Sequence, residues 1–397
     1  MNLTNRKLIT LNILLLFPFL LIDMINGYFI ASGSPIPLSA IYKLILIVCF
    51  SFPVIGSIQT LLAISFSILT ISFQTLYFSG SFFFDFSSVA KSLIFFLMFN
   101  FFYVNRFWLS LKHKVLIEKV FVLNLILLML NIFSGLFGIG YSTYGGGHVS
   151  TGVGSGYKGF FYAGNEIGAL LICFLPVIYR RYCIGNLRYF IFISVTLISA
   201  ILLSTKTAIL GTIIFISFTL ISKYKFKTIL VLPVLVFFAY IMHGHLINFV
   251  TLTTERLTYF LEQRGILFLI FSGRSEYIID YFKYISENFD LMAFLFGWGP
   301  SYASGLFKSA EVDFFDLLVW QGLFWTLLFY IVMFIFSFYI FIYSRKLSCN
   351  EFSLTVIIIF FISNIAGHAY TSAMMLPFLS LYYPYVRSLN FNSDCKN

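Results

Sequence analysis

Long apolar runs separated by short polar segments make up most of the 397-residue chain. A bilayer core about 30 Å thick needs roughly 20 apolar residues in each helix that crosses it. The pattern therefore predicts about 12 transmembrane helices, with a range of roughly 10 to 13. The last two predicted helices are short, and a re-entrant hairpin is an alternative for them. The predicted helices cover residues 8–25, 38–55, 58–78, 86–104, 120–140, 160–179, 189–204, 208–222, 228–242, 320–343, 353–367 and 371–386.

The composition supports this interpretation, since 60% of the residues are hydrophobic and only 10% are charged. Soluble chains carry about 25% charged residues. A soluble fold of this length has too little interior to bury so much apolar surface. We therefore expect an all-α polytopic membrane protein, with residues 1–397 forming a single transmembrane domain in the lipid bilayer.

The distribution of charge predicts the orientation. With both termini on one side, six segments fall on the cytoplasmic face, and they contain 16 of the 25 basic residues but three of the 15 acids. Cytoplasmic loops of membrane proteins carry such an excess of Lys and Arg. The net charge of +10 thus follows the ends of apolar runs, and nucleic acid is not an expected partner. The six segments are 1–7, 105–119, 180–188, 223–227, 344–352 and 387–397.

One outer loop is far larger than the rest. Residues 243–319 form the only domain-sized polar insertion, placed before the last three predicted helices. Long ordered loops are more often functional than filler. We therefore expect the chemistry of the protein on the non-cytoplasmic face.

A smaller outer segment, 141–159, is rich in glycine and precedes a group of polar residues. Gly154, Gly156 and Gly159 match the dinucleotide pattern G-x-G-x-x-G, but the βαβ unit that this fingerprint requires is not possible here. A flexible turn and close approach to a ligand are both open interpretations. Lys158, Asn165 and Glu166 follow at the mouth of a helix, where Asn165 is also suited to cap it and Glu166 to favour its dipole.

Further polar motifs stand on the same predicted face. Lys206 lies between two apolar runs at the outer surface, where it is a candidate cation of the site, with snorkelling as the alternative. Asp313 and Asp316 are spaced to share one helix face, with a solvated acidic edge as the alternative. The other motifs are Ser272-Gly-Arg274 and Phe296-Gly-Trp-Gly-Pro300.

The order of these motifs resembles the Wzy-type polysaccharide polymerases and the related O-antigen ligases of bacterial inner membranes. The resemblance implies a GT-C-like helical bundle with one large periplasmic loop, and a metal-independent, inverting glycosyl transfer without a cofactor. Undecaprenyl-diphosphate-linked oligosaccharide would be the substrate, and a chain-length regulator protein is a further candidate partner. The protein would then lie in the inner membrane, with both termini cytoplasmic and its active face periplasmic.

The chemistry of such a reaction suggests roles for the candidate residues. A diphosphate leaving group needs fixed cations, and a sugar hydroxyl needs a general base, which accelerates transfer by about 10²–10⁴-fold. Asp313, Asp316 and Glu166 are the candidate catalytic carboxylates. The candidates for binding diphosphate or sugar are Lys158, Asn165, Lys206, Arg256, Arg264 and Arg274.

Two departures from the family pattern affect these expectations. The ligases carry a His before the late helices, whereas this stretch offers Asp313 and Asp316, which favours a polymerase. Lys158 and Lys206 stand where relatives often have Arg, and a lysine does not offer the two-pronged phosphate contact of an arginine. A ligase, a transporter of the lipid-linked unit and a structural scaffold are the alternatives.

Overall fold

The structure is a computed structural model that describes residues 2–33, 37–144, 148–149, 155–161, 164–183, 185–224, 274–306, 308–365 and 367–393. About 81% of the described residues are helical, and the sheet content is one short hairpin. The all-α architecture is therefore confirmed. The helices of the first half are α1 (Asn2–Leu14), α2 (Phe19–Ala31), α3 (Leu38–Ser51), α4 (Ile58–Phe78), α5 (Phe82–Val104), α6 (Leu111–Phe133), α7 (Gly164–Tyr182), α8 (Asn186–Leu203) and α9 (Lys206–Tyr224).

A β-hairpin between α6 and α7 and a second set of helices after α9 complete the described chain. Between α6 and α7, strands β1 (Tyr141–Tyr144) and β2 (Ser155–Gly159) pair in antiparallel fashion. The remaining helices are α10 (Arg274–Glu287), α11 (Leu291–Phe296), α12 (Pro300–Ala303), α13 (Asp313–Lys346), α14 (Asn350–Ile365), α15 (Leu376–Ser380) and α16 (Tyr382–Ser393).

Large apolar side chains cover the outside of the bundle. Leu76, Phe83 and Phe137 each expose more than four-fifths of their surface. Water would penalise this exposure by roughly 25 cal/mol for each Å² of apolar surface, so lipid is the fitting solvent. Within the described residues, seven helical segments are long and apolar enough to cross a bilayer. The protein is therefore a membrane protein by length and composition of its helices, while a total of twelve crossings and the extent of the 243–319 loop stay predictions.

The first predicted helix, 8–25, is divided into α1 and α2. Asn124 of α6 satisfies the backbone at this break, because its side chain accepts from the Leu20 N–H (3.1 Å) and donates to the Leu16 carbonyl (3.0 Å). A buried amide that meets one free donor and one free acceptor compensates for the interrupted helix. The hydropathy pattern alone carries no signal for this break.

Ion pairs between helix ends bring three predicted cytoplasmic segments together. Arg181 at the end of α7 pairs with Glu118 near the start of α6 (3.2 Å). The adjacent Arg180 pairs with Glu351 at the start of α14 (3.1 Å). We call this end of the bundle the basic end. The compartment that it faces stays a prediction.

The chain from 369 to 386, which includes the short predicted helix 371–386, is buried throughout. Ser372 contacts Glu166 at the start of α7, and Tyr385 donates to Glu118 at the basic end (3.1 Å). The segment therefore runs from the far end of the bundle back to the basic end. This course favours a full crossing over the re-entrant alternative.

Helix α13 is interrupted at Gly322, whose φ of +77° lies in the left-handed region. The interruption frees carbonyl groups, and other segments supply their donors. Gln74 Nε2 of α4 donates to the Trp320 carbonyl (2.6 Å), and the Trp298 N–H donates to the Val319 carbonyl (2.9 Å). The Gly-Trp-Gly motif thus docks on the kink of α13, which explains it as a packing motif. The part of α13 after Gly322 is about 36 Å long, enough to cross a bilayer core.

We predict that Gly322→Ala lowers the stability of the protein. A Cβ at this position would overlap the backbone nitrogen of Gly297, and an alanine with positive φ adds about 1–2 kcal/mol of strain. The thermal unfolding of the detergent-purified protein measures the effect. Gly56→Ala is the control, since a Cβ there meets nothing within 4 Å. Equal unfolding temperatures for the two variants would contradict the packing role of Gly322.

Candidate functional site

A tight loop between α14 and α15, residues 367–372, organises the end of the bundle opposite the basic end; we call it the His368 loop. Asp313 at the start of α13 is fully buried and accepts four hydrogen bonds from this loop, three from backbone N–H groups. The donors are His368 N (3.0 Å), Ala369 N (2.9 Å), Tyr370 N (2.6 Å) and Thr371 Oγ1 (2.7 Å).

Both carboxylate oxygens of Asp313 are engaged in holding this loop. Such fully satisfied buried groups rigidify the segment that they bind. The geometry therefore favours a positioning role for Asp313. Catalysis by this residue stays a prediction.

Glu166, in the first turn of α7, contacts the same loop at Ser372. The hydroxyl of Ser372 donates to Glu166 Oε2 at 2.6 Å. The positive end of the helix dipole also favours a carboxylate at this position. The His368 loop thus unites Glu166 and Asp313, two of the three predicted catalytic carboxylates, in one polar cluster.

Arg274, the first residue of α10, forms an ion pair at the edge of this cluster. Its Nη2 lies 2.7 Å from Glu311 Oε2, and only 12% of the Arg274 side chain is exposed. The carbonyl of Glu311 lies so close to Gly367 that a Cβ there would overlap it. Arg274 is therefore held beside the His368 loop by a carboxylate, and a phosphate ligand would have to compete with Glu311.

The β-hairpin positions Lys158. Asn131 of α6 donates to the Lys158 carbonyl (2.9 Å) and accepts from the Phe160 N–H (2.9 Å). A side chain at Gly159 would overlap Asn131, so close packing accounts for this glycine. Burial lowers the pKa of Lys158, and a bound anion would offset this effect.

Lys206 begins α9 and is exposed. The neighbouring turn between α8 and α9 packs on the hairpin, since a Cβ at Gly156 would contact the Leu203 carbonyl and Ser204. Lys206 and Lys158 therefore stand on adjacent elements at the same end of the bundle.

Asp316 lies one turn after Asp313 but faces other partners. Its carboxylate accepts from the hydroxyl of Ser309 (2.8 Å) and the N–H of Ala310 (2.9 Å). Asp316 also contributes to the wall of a cavity of about 210 Å³ between α5, α10 and the segment before α13. Of the three predicted catalytic carboxylates, Asp316 is the one that lines this cavity.

Hydrogen bonds to α5 fix two of the helices that form the cavity, α12 and α13. Asp85 of α5 accepts from the N–H (2.9 Å) and the hydroxyl (2.8 Å) of Ser301 and so clamps α12 onto α5. Further along α13, Gln321 Nε2 donates to Ser88 Oγ of α5 (3.2 Å), and Trp325 Nε1 donates to Ser92 Oγ of α5 (2.8 Å). Asp85 is fully buried at its contact with Ser301.

Arg256 and Arg264 lie outside the described residues, as does the predicted helix 228–242. Asn165 belongs to the first turn of α7, and its side chain is outside the described part.

His368 is the residue that sequence reasoning missed at this site. Its N–H contacts Asp313 from 55 positions away in the chain, and its ring Nδ1 lies 3.3 Å from Thr371 Oγ1. The absence of a His from the segment around Asp313 therefore does not mean its absence from the site. A Gly-His pair directly after an apolar run was the available signal.

The described residues contain no group of three or more His, Cys, Asp and Glu side chains that could hold a metal ion. A metal-independent reaction stays a prediction, because part of the outer loop lies outside the described residues.

The fold and the polar cluster define an all-α membrane protein with a candidate site at one end of its bundle. Comparisons with protein-family models, with curated proteins and with solved structures found no match.

Proposed function

We propose that the protein is a polymerase of lipid-linked glycan repeat units, of the O-antigen or capsule type, in the bacterial inner membrane. It transfers the growing glycan from undecaprenyl diphosphate to the non-reducing end of a new lipid-linked repeat unit. Support comes from one observation above all: a carboxylate, Asp316, lines a cavity at the end of the bundle opposite the basic end.

In this proposal Asp316 acts as the general base. It takes the proton of the acceptor hydroxyl, whose oxygen attacks the anomeric carbon of the donor as the bond to undecaprenyl diphosphate breaks. The attack from the face opposite the leaving group inverts the anomeric configuration. Asp316 suits this role because two neutral donors orient its carboxylate without neutralising it.

The leaving diphosphate carries the negative charge that develops in the reaction. Lys158, Lys206 and Arg274 lie at the same end of the bundle and are the described candidates for stabilising it. Arg256 and Arg264 remain candidates by sequence. Exposed Phe83 and Phe84 at the start of α5 offer an apolar surface for the polyprenyl chain near the cavity.

A ligase is the second candidate, and His368 is the observation that favours it. The His that the ligases carry before their late helices has no counterpart there in the sequence, but the structure places His368 beside Asp313. Both reactions use the same lipid-linked donor. The acceptor, a new repeat unit or the lipid A-core, distinguishes them.

The length of the surface glycan in a deletion strain tests the proposal. We expect glycan capped with a single repeat unit in the deletion strain, and long chains again when the intact gene is returned. Normal chain lengths in the deletion strain would exclude a polymerase. Loss of all attached glycan, including the single unit, would favour the ligase.

A further inference from the structure

Lys91 of α5 lies in the wall of the cavity that Asp316 lines. Its side chain is half-buried, and among the described residues it has no hydrogen-bond or ion-pair partner. A partly desolvated ammonium without a counter-charge is unfavourable, so cations of this kind are usually paired. The cavity wall thus contains a cation whose partner is missing from the described chain.

The other charges around the cavity do not supply that partner. Lys308 stands at the cavity mouth and donates to the Tyr277 hydroxyl at 3.0 Å, and this hydrogen bond raises the pKa of Lys308. Asp316 is the one carboxylate among the lining residues, and Ser309 and Ala310 already donate to it. The cavity therefore carries two cations against one carboxylate that is satisfied by neutral groups.

The size of the cavity limits what it can hold. Pockets for drug-sized ligands have volumes of about 300–1,000 Å³. At about 210 Å³ this cavity suits a single charged group or one sugar ring rather than an oligosaccharide. The hydroxyl of Ser87 in the lining offers a further donor to an oxygen atom of such a group.

We propose that the cavity is an anion subsite in which Lys91 and Lys308 bind a carboxylate or phosphate group of the ligand. The inference deepens the proposed function, since it assigns an acidic group to the glycan or lipid substrate that Asp316 would serve. Two sources share this chemistry: an acidic sugar of the repeat unit and the phosphate of the lipid carrier. Phe84 borders the cavity with 57% of its surface exposed, so the site is also open to a lipid.

Anion binding to the full-length protein in detergent tests the inference, and this measurement does not depend on glycosyl transfer. Trp320 lines the cavity, so its fluorescence reports occupancy, and Trp320→Phe identifies the signal. The probes are glucuronate, glucose, inorganic phosphate and undecaprenyl phosphate. We expect saturable binding of at least one anion and none of glucose.

Substitutions of Lys91 test whether this residue contributes to anion binding. Lys91→Gln should weaken anion binding by about tenfold or more, because it removes a charge-assisted hydrogen bond, and Lys91→Arg should keep most of it. Lys112→Gln is the matched control, since Lys112 is an exposed lysine of α6. Binding of glucuronate assigns the site to a sugar acid, and binding of undecaprenyl phosphate alone assigns it to the lipid.

Two results would overturn the subsite: no anion binds, or Lys91→Gln binds as tightly as Lys112→Gln. Neither result bears on the chain-length test of the polymerase. Conversely, anion binding in a protein that fails that test would leave the subsite standing and remove its assignment to glycan synthesis.

Discussion

Replacing Asp316 by Asn should abolish long glycan chains while the protein remains folded in the membrane. The amide oxygen can still accept from the Ala310 N–H, and its NH₂ group can donate to the Ser309 hydroxyl, which is able to accept. The variant therefore keeps both local contacts and loses only the charge and the ability to take a proton. Loss of a general base lowers the rate by about 10²–10⁴-fold. The chain-length profile of a deletion strain that produces the variant measures the result.

Three comparisons make this prediction specific. Asp316→Glu should recover part of the activity, since it restores a carboxylate at a shifted position. Thermal unfolding of Asp316→Asn should match that of the wild type, which separates chemistry from folding. Full chain length with Asp316→Asn would remove Asp316 from the reaction.

The spacing of Asp313 and Asp316 predicts a shared helix face, and the structure assigns the two carboxylates different partners. Asp313 holds the His368 loop, whereas Asp316 faces Ser309 and the cavity. Helical periodicity fixes the direction of each side chain but not the segment that it meets. That segment, the His368 loop, comes from 55 residues further along the chain.

Helices, by contrast, follow closely from hydropathy because each buried or lipid-facing run must satisfy its own backbone. Predicted helix 58–78 coincides with α4, and 189–204 is nearly α8. The predicted start of 120–140 is late, since α6 begins at Leu111 with a charged turn at the basic end. Charged turns lower the hydropathy of a helix without ending it.

The role inferred for Lys91 could not be predicted from the sequence. For a lone lysine near a helix end, snorkelling is the ordinary explanation. Its place in the wall of the cavity that Asp316 also lines depends on the packing of α10 and α12 over α5, which no local pattern encodes. A site that is assembled from distant segments becomes visible only when the segments are packed.

Asp313→Ala should destabilise the protein far more than Asp316→Asn. The substitution removes the acceptor of the His368, Ala369 and Tyr370 N–H groups, of which those of Ala369 and Tyr370 are buried. An unsatisfied buried donor costs about 1–3 kcal/mol. We therefore expect a large fall in the unfolding temperature in detergent and little protein in the membrane.

Asp313→Asn provides the graded control for this prediction. In either orientation of the amide, at least one backbone N–H of the His368 loop loses its acceptor. The unfolding temperature of Asp313→Asn should therefore lie between those of Asp313→Ala and the wild type. Thr371→Val removes only the hydroxyl contact and should have the smallest effect of the three. If Asp313→Ala unfolds at the wild-type temperature yet makes no long chains, Asp313 acts in the chemistry and the positioning role is wrong.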